Sequence, residues 1–296
     1  MSLRAFASWI AVLGMGVVGS ACVGSTGAGD AGPAPPDAGP SDGGAPDAAP
    51  AADAGAFLAP CEAPAGSGTD HRDDVTADET WTAAASPHRI PTSLRLLATV
   101  RIEACARVEL GPRVLLMVGV PGTPGILLAE GQRGVNREGL PARRPVTFAA
   151  ASPDKPWGSL VVHAGSRAEL RVVDVDDAAA PETDQNGGGA ILVYGPSVAA
   201  GESVRSLTVV DTVIARSRGY GLSFVGRAGF GPGSEELVVR NGGRDAAAFP
   251  VRVPIGEAAT LPTLRLEGNV RNEVELLQPV AGFAADTVPA RGAPYV

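Results

Sequence analysis

Asp174-Val175-Asp176-Asp177 is the densest set of side chains in this 296-residue chain that could move protons or hold a cation. On a strand, Asp174 and Asp176 share one face, two residues apart, and both can reach a single cation or substrate. Paired carboxylates can divide acid and base work, because one keeps its proton while the other stays charged. Glu182 and Asp184 follow closely. The plainer reading of Asp174, Asp176 and Asp177 is a solvated strand end entering an Ala/Asp loop. Ca²⁺ is the one cofactor such a set suits, and no other cofactor or metal site is indicated. Asp70-His71-Arg72-Asp73-Asp74 mixes imidazole and carboxylates but reads as a charged surface loop before the first strand. His88 and His163 lack a Ser or Cys nucleophile motif, so no triad is assigned. Asp211 follows a strand and suits an Asx turn. Gly226–Gly233 lacks the Lys-Ser/Thr of a phosphate loop. Trp81, Trp157, Tyr194 and Tyr220 would stack on sugars if presented along one groove. Trp157 also suits packing. No catalytic residue is assigned.

The elements that must position these groups begin with an export signal. Residues 1–21 carry Arg4 and then the apolar stretch Phe6–Val18, and they end in Gly19-Ser20-Ala21 before Cys22. That is the order of a secretory signal peptide, and it is too short and Gly-rich to span a bilayer. Small residues ending at a Cys resemble a bacterial lipobox, although Gly19 stands where Leu is usual. The resemblance implies acylation of Cys22, a membrane partner and, with Val23 in place of Asp, an outer-membrane address. The bland alternative is cleavage near Ala21 and plain secretion. Residues 22–56 then read as a disordered tether: 30 of positions 23–56 are Ala, Gly, Pro or Asp. Such a composition cannot bury enough apolar surface to offset its ordering entropy.

Export places the remaining cysteines, Cys61 and Cys105, in an oxidising compartment, where an even pair reads first as a disulfide. Neither has a second ligand at metal spacing. The net charge of −8 excludes a general nucleic-acid binder, which needs a basic surface. With 39 glycines and 26 prolines, a helical bundle is disfavoured.

Residues 57–89 read as a lead-in and cap, 90–282 as the folded body, and 283–296 as a tail or the start of a second unit. In the body, Val100–Leu110 alternates apolar and polar residues with a corner near Ala104–Ala106, which is strand periodicity. About a dozen further short apolar runs follow, from Val114–Val118 to Glu273–Leu277. Even spacing of short strands predicts an all-β fold, as a sandwich, a barrel or a solenoid. Scarce hairpin signals favour the solenoid, with corners at Gly187-Gly188-Gly189, Gly219-Tyr220-Gly221, Asn241-Gly242-Gly243 and Gly268-Asn269.

Several of these segments carry a family resemblance. Arg144-Pro145-Val146-Thr147-Phe148 followed by Lys155-Pro156-Trp157-Gly158-Ser159-Leu160 resembles the P-I-T-F … D-W-G-G-I stretch of the pectin-lyase-like parallel β-helix superfamily. Val108-Glu109-Leu110-Gly111-Pro112, Gly219-Tyr220-Gly221-Leu222 and Pro250-Val251-Arg252-Val253 with Gly268-Asn269 resemble its other turns. The resemblance implies a single-stranded right-handed parallel β-helix, with Trp157 packing at a coil entry. The expected role is a membrane-tethered, non-catalytic binding, adhesion or envelope-structural protein, with polysaccharide as a candidate partner. The alternative is a polysaccharide lyase or glycoside hydrolase acting through Asp174, Asp176 and Asp177. A β-sandwich carbohydrate-binding module is the third reading. Thr80–His88 and Thr287–Tyr295 align at an offset of 207 residues, which suggests a second unit beginning at the C-terminus.

Overall fold

Apolar residues spaced two apart between turn residues form strands here, and almost every strand lies parallel to its neighbour. The computed structural model describes residues 56–64, 66–179, 188–196, 203–243, 248–277 and 290–296. Glu182, Asp184, Cys22 and the tether before Ala56 lie outside these residues.

The strands fall into three rows. The first contains β2 (Glu79–Trp81), β5 (Thr99–Glu103), β8 (Ile126–Glu130) and the leading half of β13 (Arg167–Asp176). It continues through the leading half of β15 (Val204–Ala215) to β17 (Ala228–Phe230). The second contains β1 (Thr69–Asp70), β3 (His88–Ile90), β6 (Arg107–Leu110) and β11 (Val146–Ala150). It continues through the trailing halves of β13 and β15 to β18 (Glu236–Arg240) and β20 (Thr263–Glu267). The third contains β4 (Leu94–Leu96), β7 (Leu116–Val118), β12 (Leu160–Val162) and β14 (Gly189–Tyr194). It continues through β16 (Tyr220–Val225) and β19 (Val251–Pro254) to β21 (Val274–Leu277). From β2 onward the chain visits the rows in the same order, first, second, third, and each round through β19 adds one strand to each row. β20 and β21 then extend the second and third rows with no first-row strand between β19 and β20, where the 3₁₀ segment Ile255–Thr260 lies. The rows thus begin within residues 57–89, before the body expected from the sequence.

Register stacks like on like. Val108, Phe148, Val175, Ile214 and Val239 form one inward column in the second row. Leu94, Leu116, Leu160, Ile191, Leu222 and Val251 form another in the third. All are buried, and they join one continuous core. A strand needs the strands on either side of it to bury this face, so stability is shared between neighbouring tiers.

Corners are built by the left-handed backbone conformation. Cys105 (φ 67°), Val172 (φ 51°) and Asp211 (φ 49°) turn the chain from the first row to the second. Val172 is unfavourable there, because a β-branched side chain crowds the backbone at positive φ. Thr212, fully buried, donates its hydroxyl to the Leu170 carbonyl beside that bend at 2.9 Å. Asp177, Arg216, Asn241 and Gly268, with φ between 51° and 62°, turn it from the second row to the third in successive tiers. Of the corners expected from sequence, Gly188, Asn241, Gly243 and Gly268 adopt positive φ. Gly221 instead lies inside β16. Asn269 binds the corner below it: Nδ2 donates to the Val239 carbonyl at 2.8 Å, and Oδ1 accepts from Gly242 N at 2.9 Å. Asn269→Ala leaves those buried groups without partners and is expected to cost about 1–3 kcal/mol in chemical denaturation.

One antiparallel element interrupts the pattern. β9 (Gln132–Val135) and β10 (Pro141–Arg144) form a hairpin inserted between β8 and β11. Asn136 Oδ1 accepts from the Glu138 and Leu140 amides at 3.1 and 2.9 Å and closes its turn. The segment around Phe57 adds to β9, with Leu58 N donating to the Val135 carbonyl at 2.8 Å. Gly134 is required at this contact, since a Cβ would lie 2.3 Å from the Ala56 carbonyl. At the other end, Tyr295 bridges Val274 in parallel and so extends the third row, whereas its sequence counterpart His88 begins β3 in the second.

Candidate functional site

The outer surface of the second row carries the acidic set. Asp174 and Asp176 point outward from β13, on the same strand face, while Val173 and Val175 fill the core. Each carboxylate of the set has a guanidinium against it. Arg143 Nη1 donates to Asp174 Oδ1 at 2.9 Å. Arg216, one tier on, donates to Asp176 and reaches both oxygens of Asp177, at 3.1 Å each. Asp176 is pushed above the usual carboxylate range, chiefly by burial, while Arg216 opposes the shift. The Asp177 carboxylate raises the Arg216 guanidinium in turn. Among the described residues no group of three or more His, Cys, Asp or Glu side chains is placed to hold a metal ion.

The clamp on the hairpin is larger than the acidic set itself. Asp211 Oδ2 accepts from Arg143 Nε and from Arg133 Nε, both at 3.0 Å. Arg143 Nη2 donates to the Asp211 backbone carbonyl at 2.8 Å. Arg133 also lies 3.5 Å from Glu235. Thus β9 and β10 are pinned across the first-to-second corner by two arginines. Asp211 is a strand-bend residue serving as the anchor of this clamp, a role beyond the Asx turn that its sequence context suggests. Only the tier register brings Arg133 and Arg143 to it, so no linear motif marks the cluster.

The aromatic candidates do not share a groove. Trp157 is fully buried and donates its indole N–H to the Asp176 carbonyl at 2.8 Å, leaving no ring face for a ligand. Tyr194 stacks on His163 with centroids 5.6 Å apart. Tyr220 lies under the Arg252 guanidinium, 5.2 Å from its ring centroid, and burial raises its phenol.

Trp81 is buried as well, and it organises a second cluster. Its indole donates to Glu79 Oε2 at 2.9 Å, and its ring contacts His71 and His88 at centroid distances of 4.3 and 5.5 Å. His88 Nε2 lies 2.9 Å from the Thr82 carbonyl. A carbonyl only accepts, so this nitrogen carries the hydrogen and neutral His88 offers a bare Nδ1. His71 Nε2, 3.0 Å from that Nδ1, therefore donates to it. His71 Nδ1 faces Glu79 at 3.9 Å, and Asp70, itself paired with Arg72, is the other nearby carboxylate. Both imidazoles are held below their ordinary value of 6.5, first by burial; the neighbouring ring adds to this for His71. A histidine lowered in the folded state contributes stability above its unfolded value and loses it as pH falls below that value. The melting temperature is expected to drop as pH falls from 7.5 to 5, and to drop less in His71→Gln. Equal drops in the two proteins would refute the linkage.

Cys61 and Cys105 are joined by a disulfide, with Cα atoms 5.4 Å apart, and Arg144 Nε donates to Cys105 Sγ at 3.1 Å. No helix among the described residues is long and apolar enough to cross a membrane.

No family model matches this chain, and no curated protein or solved structure matches it.

Proposed function

We propose that this chain is an exported, lipid-anchored right-handed parallel β-helix that binds polysaccharide at the bacterial outer membrane and performs no chemistry on it. The observation that carries the non-catalytic half is the pairing of Asp174, Asp176 and Asp177 with Arg143 and Arg216. Each carboxylate has at least one oxygen taken by a guanidinium, which competes with a cation for the set, and Arg216 opposes the upward push that burial gives Asp176. The winding is supported by the fixed order in which the chain visits its rows. The pectin-lyase-like resemblance rests on the turn segments quoted above, and the anchor rests on the residues ending at Cys22.

A glycan array probed with the full chain, with and without Ca²⁺, tests the ligand class, and retention of polysaccharide without turnover is expected. Release of unsaturated sugars or new reducing ends, abolished by Asp174→Asn, would install the lyase or hydrolase reading instead. Detergent-phase partitioning tests the anchor: the wild type is expected in the detergent phase and Cys22→Ser in the aqueous phase. Wild-type protein in the aqueous phase would remove the lipid.

A further inference from the structure

The two halves of the Cys61–Cys105 bond have unlike surroundings. Cys61 sits in an exposed stretch, positions 59–64, and among the described residues no hydrogen bond ties that stretch to the body. Cys105 is half-buried at the corner between β5 and β6, where its amide donates to the Pro145 carbonyl at 3.0 Å. That bond holds the end of β10 beside the corner, and Arg144, the residue before Pro145, donates Nε to Cys105 Sγ at 3.1 Å. Arg144 otherwise reaches Gln132 Oε1 at 3.5 Å and has no carboxylate partner among the described residues. Its positive charge therefore falls on the Cys105 sulfur.

A thiolate opens a disulfide by attacking one sulfur. Which one it attacks depends on access and on how readily the other sulfur leaves with negative charge. A guanidinium beside a cysteine lowers its thiol pKa and so makes it the better leaving group. Both factors point the same way here, since Cys61 is the exposed partner and Cys105 is the one with a cation against its sulfur. Attack at Cys61 forms a new S–S bond to the incoming sulfur and breaks the bond to Cys105. The electron pair leaves on Cys105 Sγ, beside Arg144, and the attacker's proton goes to solvent. One disulfide replaces another, with no net oxidation. The tiers stay wound, because Leu58 N and Val135 N keep their bonds at β9. The stretch 59–64, which no hydrogen bond fastens, is free to carry the adduct away from Cys105 and so to slow re-closure.

We infer that Cys61 is a thiol-exchange site, which takes up a low-molecular-weight thiol as a mixed disulfide while Arg144 holds the Cys105 thiolate. The native full chain in detergent, exposed briefly to 2-mercaptoethanol at mildly alkaline pH and quenched with acid, tests this by peptide mass spectrometry after free thiols are blocked. The adduct is expected on Cys61 in about tenfold excess over Cys105, with the blocking group on Cys105. Arg144→Gln is expected to slow adduct formation about threefold or more, and Arg144→Lys to restore part of the rate. Adduct shared equally between the two cysteines, or found on Cys105, overturns the direction of attack and with it the site. No adduct until urea is added overturns it too, as does an Arg144→Gln rate equal to wild type with unchanged circular dichroism. If Arg144→Gln loses its native circular dichroism, the wild-type map decides alone.

Discussion

Phe148→Ala is expected to lower the unfolding free energy by about 3–5 kcal/mol, the range for truncating a buried aromatic in a packed core. Phe148 is fully buried and sits in β11 with Val108 on one side of it and Val175 on the other. Both neighbours are fixed by ladder hydrogen bonds at strand spacing, about 4.8 Å, so the walls cannot close on the space left behind. The damage spreads to two further tiers, because each inward column is shared between adjacent strands. Urea denaturation followed by circular dichroism measures it. Thr147→Ala, one residue away and pointing outward, serves as the control and is expected within about 0.5 kcal/mol of wild type. A loss below about 1 kcal/mol in Phe148→Ala would contradict the column.

Loss of the Cys61–Cys105 bond is expected to cost about 4 kcal/mol, from the loop-closure entropy that it removes from the unfolded chain. The cross-link spans 44 residues and ties the segment that precedes the first tier to the β5–β6 corner. Without it, that segment keeps its ladder bonds to β9, Leu58 N to Val135 O and Val135 N to Ala56 O, together with the short pairing of β1 with β3. Cys61→Ser and Cys105→Ser are each expected to reduce the melting temperature to the value of the wild type in reductant, and to expose the chain before Glu79 to protease first. An unchanged melting temperature in reductant would show that the hairpin contacts alone hold this segment.

Much of the strand pattern is legible in the residues themselves. The alternation of Val100–Leu110 reads as strand, corner, strand, and the structure has β5, a left-handed Cys105 and β6 there. Elsewhere the corners are legible where glycine or asparagine marks them. Val172 and Asp211 take the same conformation without any such mark, which is why the runs around them read as shorter strands than β13 and β15 are. β9 and β10 are missed because their residues are polar on both faces: the hairpin is held by ion pairs and by the Phe57 segment, not by an apolar face. The partners of the acidic set are hidden for a related reason. Asp211 meets Arg143 from 68 residues away, a juxtaposition set by how many residues each round consumes. Loop lengths decide that number, and loop lengths leave no periodic trace. The pairing of His71 with His88 is of the same kind, since a neighbouring tier delivers the second ring.

The hairpin offers one practical consequence. Its turn, Asn136–Leu140, stands clear of every column, and its base is fastened by Arg133 and Arg143 instead of by core packing. A foreign peptide spliced into that turn would ride on a rigid scaffold without disturbing it, which makes the position a natural graft point for displaying epitopes.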